Sequence, residues 1–328
     1  MSDFQRPIGQ VRIFGCGGAG IKITNRFETE VSPEPGYAEH HCCYIDTSHS
    51  DLMATVSREK CFLFSDIDGC EDVDGAGQVR ADIVGVVRPH IGQILQKFTP
   101  CELNIIVVGT SGGSGSVIAP LLANELISRG EMVIVLAVTS TQSQRAIYNT
   151  ISTLQTFEQL SKKAQAPTIL SLVSNGGRVH SEDADAELIY RIASLLSLYS
   201  RQHQRLDLAD LRSWANFHNV TSVPPQLVTM HVCNTTAEVS EVPYPITIAS
   251  LVTEGKPADL GDTTAEYLCE GWHKSEHEEL HFVLTNATLA PLVREYTQKL
   301  DNLKQASAAR PSVSGLGGQA ADDDILVL

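Results

Sequence analysis

The first half of the chain alternates short apolar runs with segments of helical periodicity. Residues 11–14, 41–45, 104–108 and 132–138 have strand length, and glycines follow the first and third of them directly. Residues 117–129 place apolar side chains at helical spacing. Strands alternating with helices predict a parallel, doubly wound α/β sheet. Ligands of such sheets bind beyond the carboxyl ends of the strands, where the glycine-rich segments fall.

The texture changes downstream. Residues 184–202 read as a long helix, with Leu188, Ile192, Leu195, Leu196 and Tyr199 on one face. Residues 226–233, 244–251 and 281–286 then read as strands of a smaller α+β domain, and residues 289–305 as a final helix. Residues 306–319 are small and rich in Gly and Ser, which predicts a flexible tether. The chain ends in Asp322, Asp323 and Asp324, then Ile325, Leu326, Val327 and Leu328.

Composition narrows the function. The 328 residues are 42% hydrophobic and 19% charged, enough for a sizeable core. A net charge of −15 repels phosphate backbones and argues against general nucleic-acid binding. Residues 1–10 are polar and do not resemble a secretory leader. No run approaches the ~20 apolar residues of a membrane span. The eight cysteines form no CxxC pair, so reduced thiols in a cytoplasm are expected.

Candidate chemistry lies in three glycine loops. Gly15, Gly17 and Gly20 follow the first strand as GxGxxG, a pattern whose backbone N–H groups hold phosphate at a helix start. Alone it also suits a tight turn, or a nicotinamide- or flavin-dependent enzyme with Asp46 on the ribose. The second loop, residues 109–116, runs Gly-Thr-Ser-Gly-Gly-Ser-Gly-Ser. Gly112, Gly113 and Gly115 admit a phosphate close to the main chain, and Thr110, Ser111, Ser114 and Ser116 add hydroxyls. No lysine follows, so it is not a Walker loop. The third loop is Asp74-Gly75-Ala76-Gly77. Several such loops on one sheet edge suit a triphosphate wrapped by main-chain donors.

These residues carry a resemblance. Residues 109–116 closely resemble the signature loop of the tubulin/FtsZ superfamily, and the similarity extends from Val11 to the final helix. Cys16, Gly17, Gly18 and Gly20 resemble the family's first phosphate loop, and Gly75, Ala76 and Gly77 the loop that reaches the γ-phosphate. Asp46 stands where the second-strand loop lies. The resemblance implies GTP/GDP as ligand, with Mg²⁺ held through the phosphates and not by the protein directly. It places Arg145 and Asn149 near ribose and base, and Asn175 and Asp185 where guanine is read. As bland alternatives, Asn175 caps a turn and Asp185 caps a helix. Asp207 and Asp210 resemble the family's catalytic acids, which enter the site of the next subunit. Their spacing of three also suits the acidic first turn of a helix. Arg205 replaces the family's usual Asn and is either a finger facing phosphate charge or a plain surface arginine.

The implied organisation is a GTP-binding domain over residues 1–184 and a central helix with catalytic loop over 185–212. A second domain with the final helix covers 213–305, and a linker with acidic tail covers 306–328. The implied function is a GTP-hydrolysing filament protein of the kind encoded by large bacteriophages. It would position phage DNA in the host bacterial cytoplasm, with phage DNA or capsid assemblies as indirect partners and no membrane. A plasmid-partition filament is the neighbouring reading. The partner is the protein itself, with Asp322, Asp323, Asp324, Ile325 and Leu326 docking on the next subunit. Arg294, Lys299 and Lys304 are candidate receivers.

Two further patterns are read as structural. Residues 277–281 match HExxH, but they run into a strand, where the zinc geometry of one helical face fails. His40, His41, Cys42 and Cys43 alternate across a strand, which separates neighbours.

Overall fold

The computed structural model describes residues 7–32, 36–73, 75–176, 180–273 and 279–308. Ten strands form one sheet. They are β1 (Gln10–Cys16), β2 (Glu39–Asp46), β3 (Cys61–Leu63), β4 (Leu103–Gly109), β5 (Val133–Ser140), β6 (Thr168–Asn175), β7 (Leu227–Cys233), β8 (Pro245–Thr253), β9 (Tyr267–His273) and β10 (Leu280–Thr285). The spatial order is β3-β2-β1-β4-β5-β6-β7-β10-β8-β9. Pairing is parallel from β3 through β7, antiparallel on both sides of β10, and parallel again between β8 and β9.

Every residue of β4 is buried, because helices cover both faces. The pleat sends Ile105 and Val107 into one core and Ile106 and Val108 into the other. The first core lies under α1 (Gly17–Glu30) and α5 (Ser181–Leu198), and the second under α2 (Arg80–Lys97), α3 (Gly115–Ser128) and α4 (Gln144–Ala164). This double burial is why the runs in the sequence are continuous rather than alternating. The first core continues into Trp214, Ile246 and Phe282, beyond α5. The strands after α5 therefore extend the first sheet: β7 pairs with β6 through Leu227, Val228 and Thr229.

The remaining helices are α6 (Leu208–Ala215), α7 (Thr236–Glu241) and α8 (Leu289–Ala308). Helix α8 packs back on α4, where Tyr296 and Leu300 bury against Ile147. No helix among the described residues is long and apolar enough to cross a membrane. Residue His281 lies on β10, buried, with Nδ1 2.9 Å from Ser250 Oγ. His277 and Glu278 of the HExxH match lie outside the described residues.

Candidate functional site

A cavity of about 530 Å³ opens at the carboxyl ends of β1, β4 and β5. Three glycine loops line it. The first contributes Cys16, Gly17, Gly18 and Ala19. The second contributes Gly109, Ser111, Gly112, Gly113, Ser114 and Gly115, and the third Gly75, Ala76, Gly77 and Gln78. At Gly17 and Gly113 the loops touch so closely that side chains would not fit. A Cβ on Gly17, where φ is +69°, would lie 2.6 Å from the Gly115 nitrogen. One on Gly113 would lie 2.4 Å from Ala76 Cβ. Glycine is thus required by contact between loops as well as by backbone conformation. Two helices, α1 and α3, start in these loops and direct their positive ends at the cavity.

A second layer holds the loops. Thr110 is fully buried, donating to the Val138 carbonyl at 3.2 Å and meeting Thr150 Oγ1 at 3.0 Å. Ser116 is also buried and donates to Gly113 O at 3.0 Å. Asn149, on α4, donates through Nδ2 to Gln78 O at 3.1 Å, Ser111 O at 3.0 Å and Gly112 O at 3.4 Å. It ties the second loop to the third. Gly20 packs α1 on β4, since a Cβ there would meet Val107 O at 2.2 Å. Thr110, Ser116, Asn149 and Gly20 do not line the cavity; they shape it.

Asp46 lies below the first and second loops. It is buried and accepts from the Thr47 amide at 2.7 Å, while Thr47 Oγ1 meets Ser114 Oγ at 2.8 Å. Its other carboxylate oxygen has no hydrogen-bond partner. Burial first, and the Asp51 charge with it, push its pKa up to about 6. Asp51 itself reaches the wall, 2.6 Å from where a Cβ on Gly18 would sit. The Cys16 thiol faces Phe14 O, and burial keeps it protonated.

At the other end of the cavity stand Val138, Thr139, Ser140 and Gln142, with Asn175 from the end of β6. Arg145 is exposed on the first turn of α4, outside the lining. Asp185 is buried on α5 and pairs with Lys22 at 2.8 Å and Arg26 at 3.7 Å, also outside the lining. Sequence reasoning passed over Asp51, Gln78 and Gln142. Gln78 directly follows the third glycine loop, whereas Asp51 and Gln142 lie in loops with no motif of their own, and only the fold brings them to the strand ends.

Asp207 and Asp210 lie outside the cavity lining. Asp207 caps α6 and accepts from the amides of Ala209 at 2.7 Å and Asp210 at 3.0 Å. Asp210 reciprocates, accepting from the Asp207 amide at 2.9 Å, which completes a capping box. Both readings of the pair are therefore physically open, since a capping carboxylate on an exposed turn still offers oxygens to solvent. Arg205 has φ +64°, and its guanidinium lies 4.6 Å from the centre of the Trp272 ring. The loop that carries these residues begins at the far end of the sheet. Gly9, just before β1, donates to Ser200 O at 3.1 Å, and Arg201 pairs with Glu102, just before β4, at 2.8 Å. The glycine loops follow the opposite ends of those strands. Seven residues of strand separate the two ends by roughly 20 Å.

Residues 10–170 match the GTPase domain of the tubulin/FtsZ family, and residues 206–288 match the C-terminal domain of phage tubulin-like proteins. The chain belongs to the tubulin/FtsZ family, a class of filament-forming cytoskeletal GTPases that bind GTP and GDP. Within it, the similarity lies with phage tubulin-like proteins. That of Pseudomonas phage PhiPA3 is 29% identical over 335 residues, spanning 97% of this chain and 99% of the relative. That of Pseudomonas phage phiKZ is 29% identical, spanning 91% of each. Among solved structures, a protofilament of TubZ from bacteriophage PhiKZ superposes with a TM-score of 0.84 at 28% identity, covering 95% of this chain and 98% of that one. The GDP-bound phage tubulin PhuZ shares the fold, with a TM-score of 0.80 at 23% identity.

Proposed function

We propose that the cavity holds GTP with its phosphates on the three glycine loops, and that hydrolysis is completed by Asp207 and Asp210 of the next copy along a filament. The observation that carries this reading is that the loop bearing the acids starts at the amino ends of β1 and β4, a strand length of roughly 20 Å from the glycine loops, and that neither acid lines the cavity. Within one copy the acids are far beyond the hydrogen-bond reach that catalysis needs. Stacking copies head to tail joins the two ends. Hydrolysis is then coupled to polymerisation, because neither copy alone has a complete site.

In this reading the backbone N–H groups of Gly17, Gly18, Gly112, Gly113 and Ser114 bind phosphate oxygens, and Gly75, Ala76 and Gly77 close over the γ-phosphate. Asn175 reads the guanine edge. Asp185 does so once it exchanges its ion pair with Lys22 for the base, and Arg145 swings from its exposed turn to the ribose. Oxygen donors dominate the wall at Asp51, Ser111 and Ser114, which suits a hard cation held through phosphate. Mg²⁺ there would neutralise the phosphate charge. Asp207 and Asp210 orient water at the exposed γ-phosphate.

The acidic end of the chain contacts the neighbouring copy through Asp322, Asp323, Asp324, Ile325 and Leu326, which lie outside the described residues. Exposed Arg294 and Lys304 on α8 are available receivers, whereas Lys299 is half-buried and donates to Thr141 Oγ1. The filament positions phage DNA in the cytoplasm of the infected bacterium. Imaging the phage DNA in cells that express an assembly-dead variant tests this, and central placement without filaments overturns it.

The test of the shared site is a mixture. Asp210→Ala and Gly113→Ala proteins are each expected to hydrolyse little GTP. Mixed, they are expected to recover part of the wild-type rate, because one supplies acids and the other a nucleotide site. A mixture no better than its parts, or hydrolysis by diluted monomers, overturns the reading.

A further inference from the structure

The loop from α5 to α6 is fastened to one edge strand. Gln204 and Trp272 exchange both backbone hydrogen bonds, at 3.2 and 2.9 Å, as an isolated antiparallel bridge. The next residue, Arg205, stacks its guanidinium on the Trp272 ring. Tyr267, at the start of the same strand, donates to Asp210 Oδ1 at 3.4 Å. Between them Gly271 lets the loop lie close. A Cβ there would fall 2.9 Å from Leu251 Cδ2 on β8, and 3.0 Å from Leu206 Cβ and 3.1 Å from His203 Cβ on the loop.

All four contacts come from β9, the last strand in the sheet order, whose outer edge the loop covers. The left-handed backbone of Arg205 is a strained conformation for a non-glycine residue, and such strain persists where neighbours over-determine it. The ring stack and the backbone bridge supply that constraint.

We infer that β9 is a strap that sets the position of the acid pair, with Trp272 and Tyr267 as positioning residues. Arg205 is the loop's half of the stack and does not face the phosphate. The inference rests on the reading that Asp207 and Asp210 act on the next copy's nucleotide. If the acids must meet a phosphate across a junction between copies, the loop has to be pre-set, since a 1 Å misplacement costs on the order of 100-fold in rate. A flat aromatic under a planar cation and a two-bond bridge are a rigid means of doing so.

The test compares Trp272→Ala with Trp272→Phe in the full chain. Trypsin cleavage after Arg205 reads the loop without reference to catalysis, and it is expected to be about ten-fold faster in Trp272→Ala. GTP affinity is expected to stay within about two-fold, because Trp272 is not in the cavity lining. Turnover at saturating GTP in assembled protein is expected to fall about ten-fold or more, as a change in kcat and not in KM. Trp272→Phe keeps a ring face and is expected to restore most of both properties. Should Trp272→Ala fail to fold, Gly271→Ala displaces the loop from the same strand and is read in the same way. Wild-type trypsin resistance and turnover in these variants overturn the strap. A separate outcome concerns the underlying reading. If Asp210→Ala hydrolyses GTP normally, the acids are not catalytic, and the trypsin result still decides whether β9 holds the loop.

Discussion

Asp46 shows how one buried group sets a pH dependence. Its pKa is raised to about 6, burial being the first cause, so the folded state holds a proton that the unfolded chain loses near pH 4. The contribution of this group is most favourable in acid and is lost as pH rises from about 4 through about 6. Above that range the buried charge costs about 3 kcal/mol. Asp46→Asn keeps an acceptor for the Thr47 amide and removes the charge. Urea unfolding of nucleotide-free protein at pH 8 is expected to show Asp46→Asn more stable than wild type, with the gap closing near pH 4.5. A gap that does not change with pH refutes the assignment. Gly113 is the other decisive position. Gly113→Ala puts a methyl 2.4 Å from Ala76 Cβ, so the third loop must retreat. GTP affinity is expected to fall at least about ten-fold, measured by direct binding, with little change in the melting temperature of the nucleotide-free protein.

At the scale of elements, α6 gives its first turn two duties. Asp207 is both its cap and a proposed catalytic acid. The duties separate by substitution, because Asn caps a helix as well as Asp does and Ala does not. Asp207→Asn is expected to keep the thermal stability of wild type while GTP hydrolysis falls strongly. Asp207→Ala is expected to lose hydrolysis and, in addition, about 1 kcal/mol of stability. Equal hydrolysis by Asp207→Asn and wild type shows that the residue is only a cap. Helix α4 has a comparable double role. Its apolar side packs in the core through Leu154, Phe157 and Leu160, while its buried Asn149 ties two loops. Asn149→Ala leaves three carbonyls without that donor and is expected to weaken GTP binding more than it lowers stability.

For the whole molecule, charge matters most. The net charge of −15 means that copies repel one another at low salt, so any acidic segment that promotes assembly must find a local basic receiver. Deleting residues 322–328 is expected to raise the critical concentration for assembly several-fold or abolish it, with GTP binding by monomers unchanged. Light scattering with GTP measures this. Assembly at the wild-type critical concentration shows that the segment is merely solvated. Arg294→Glu and Lys304→Glu are expected to reproduce the deletion if α8 is the receiver.

The sequence by itself determined the main strands of the nucleotide half and the helix after the second glycine loop, because buried parallel strands need unbroken apolar runs and tight loops need glycine. The strand predicted at 104–108 spans Leu103–Gly109, and that at 132–138 spans Val133–Ser140. Helices α2 and α4 left weaker traces. Pro89 and two glycines interrupt α2, and α4 buries Asn149, Thr150 and Thr153, polar residues that blur an apolar stripe. Strand β9 gave no alternating pattern, since its Gly271 and Trp272 answer to a loop far away in sequence. Only the tertiary structure decided which glycines touch a ligand cavity and which pack a helix on a strand. It alone set the start of the loop that carries Asp207 and Asp210 at the ends of β1 and β4 away from the glycine loops. The reason is physical: periodicity records which face of an element is dry, whereas the distance between two sites depends on how all the elements stack.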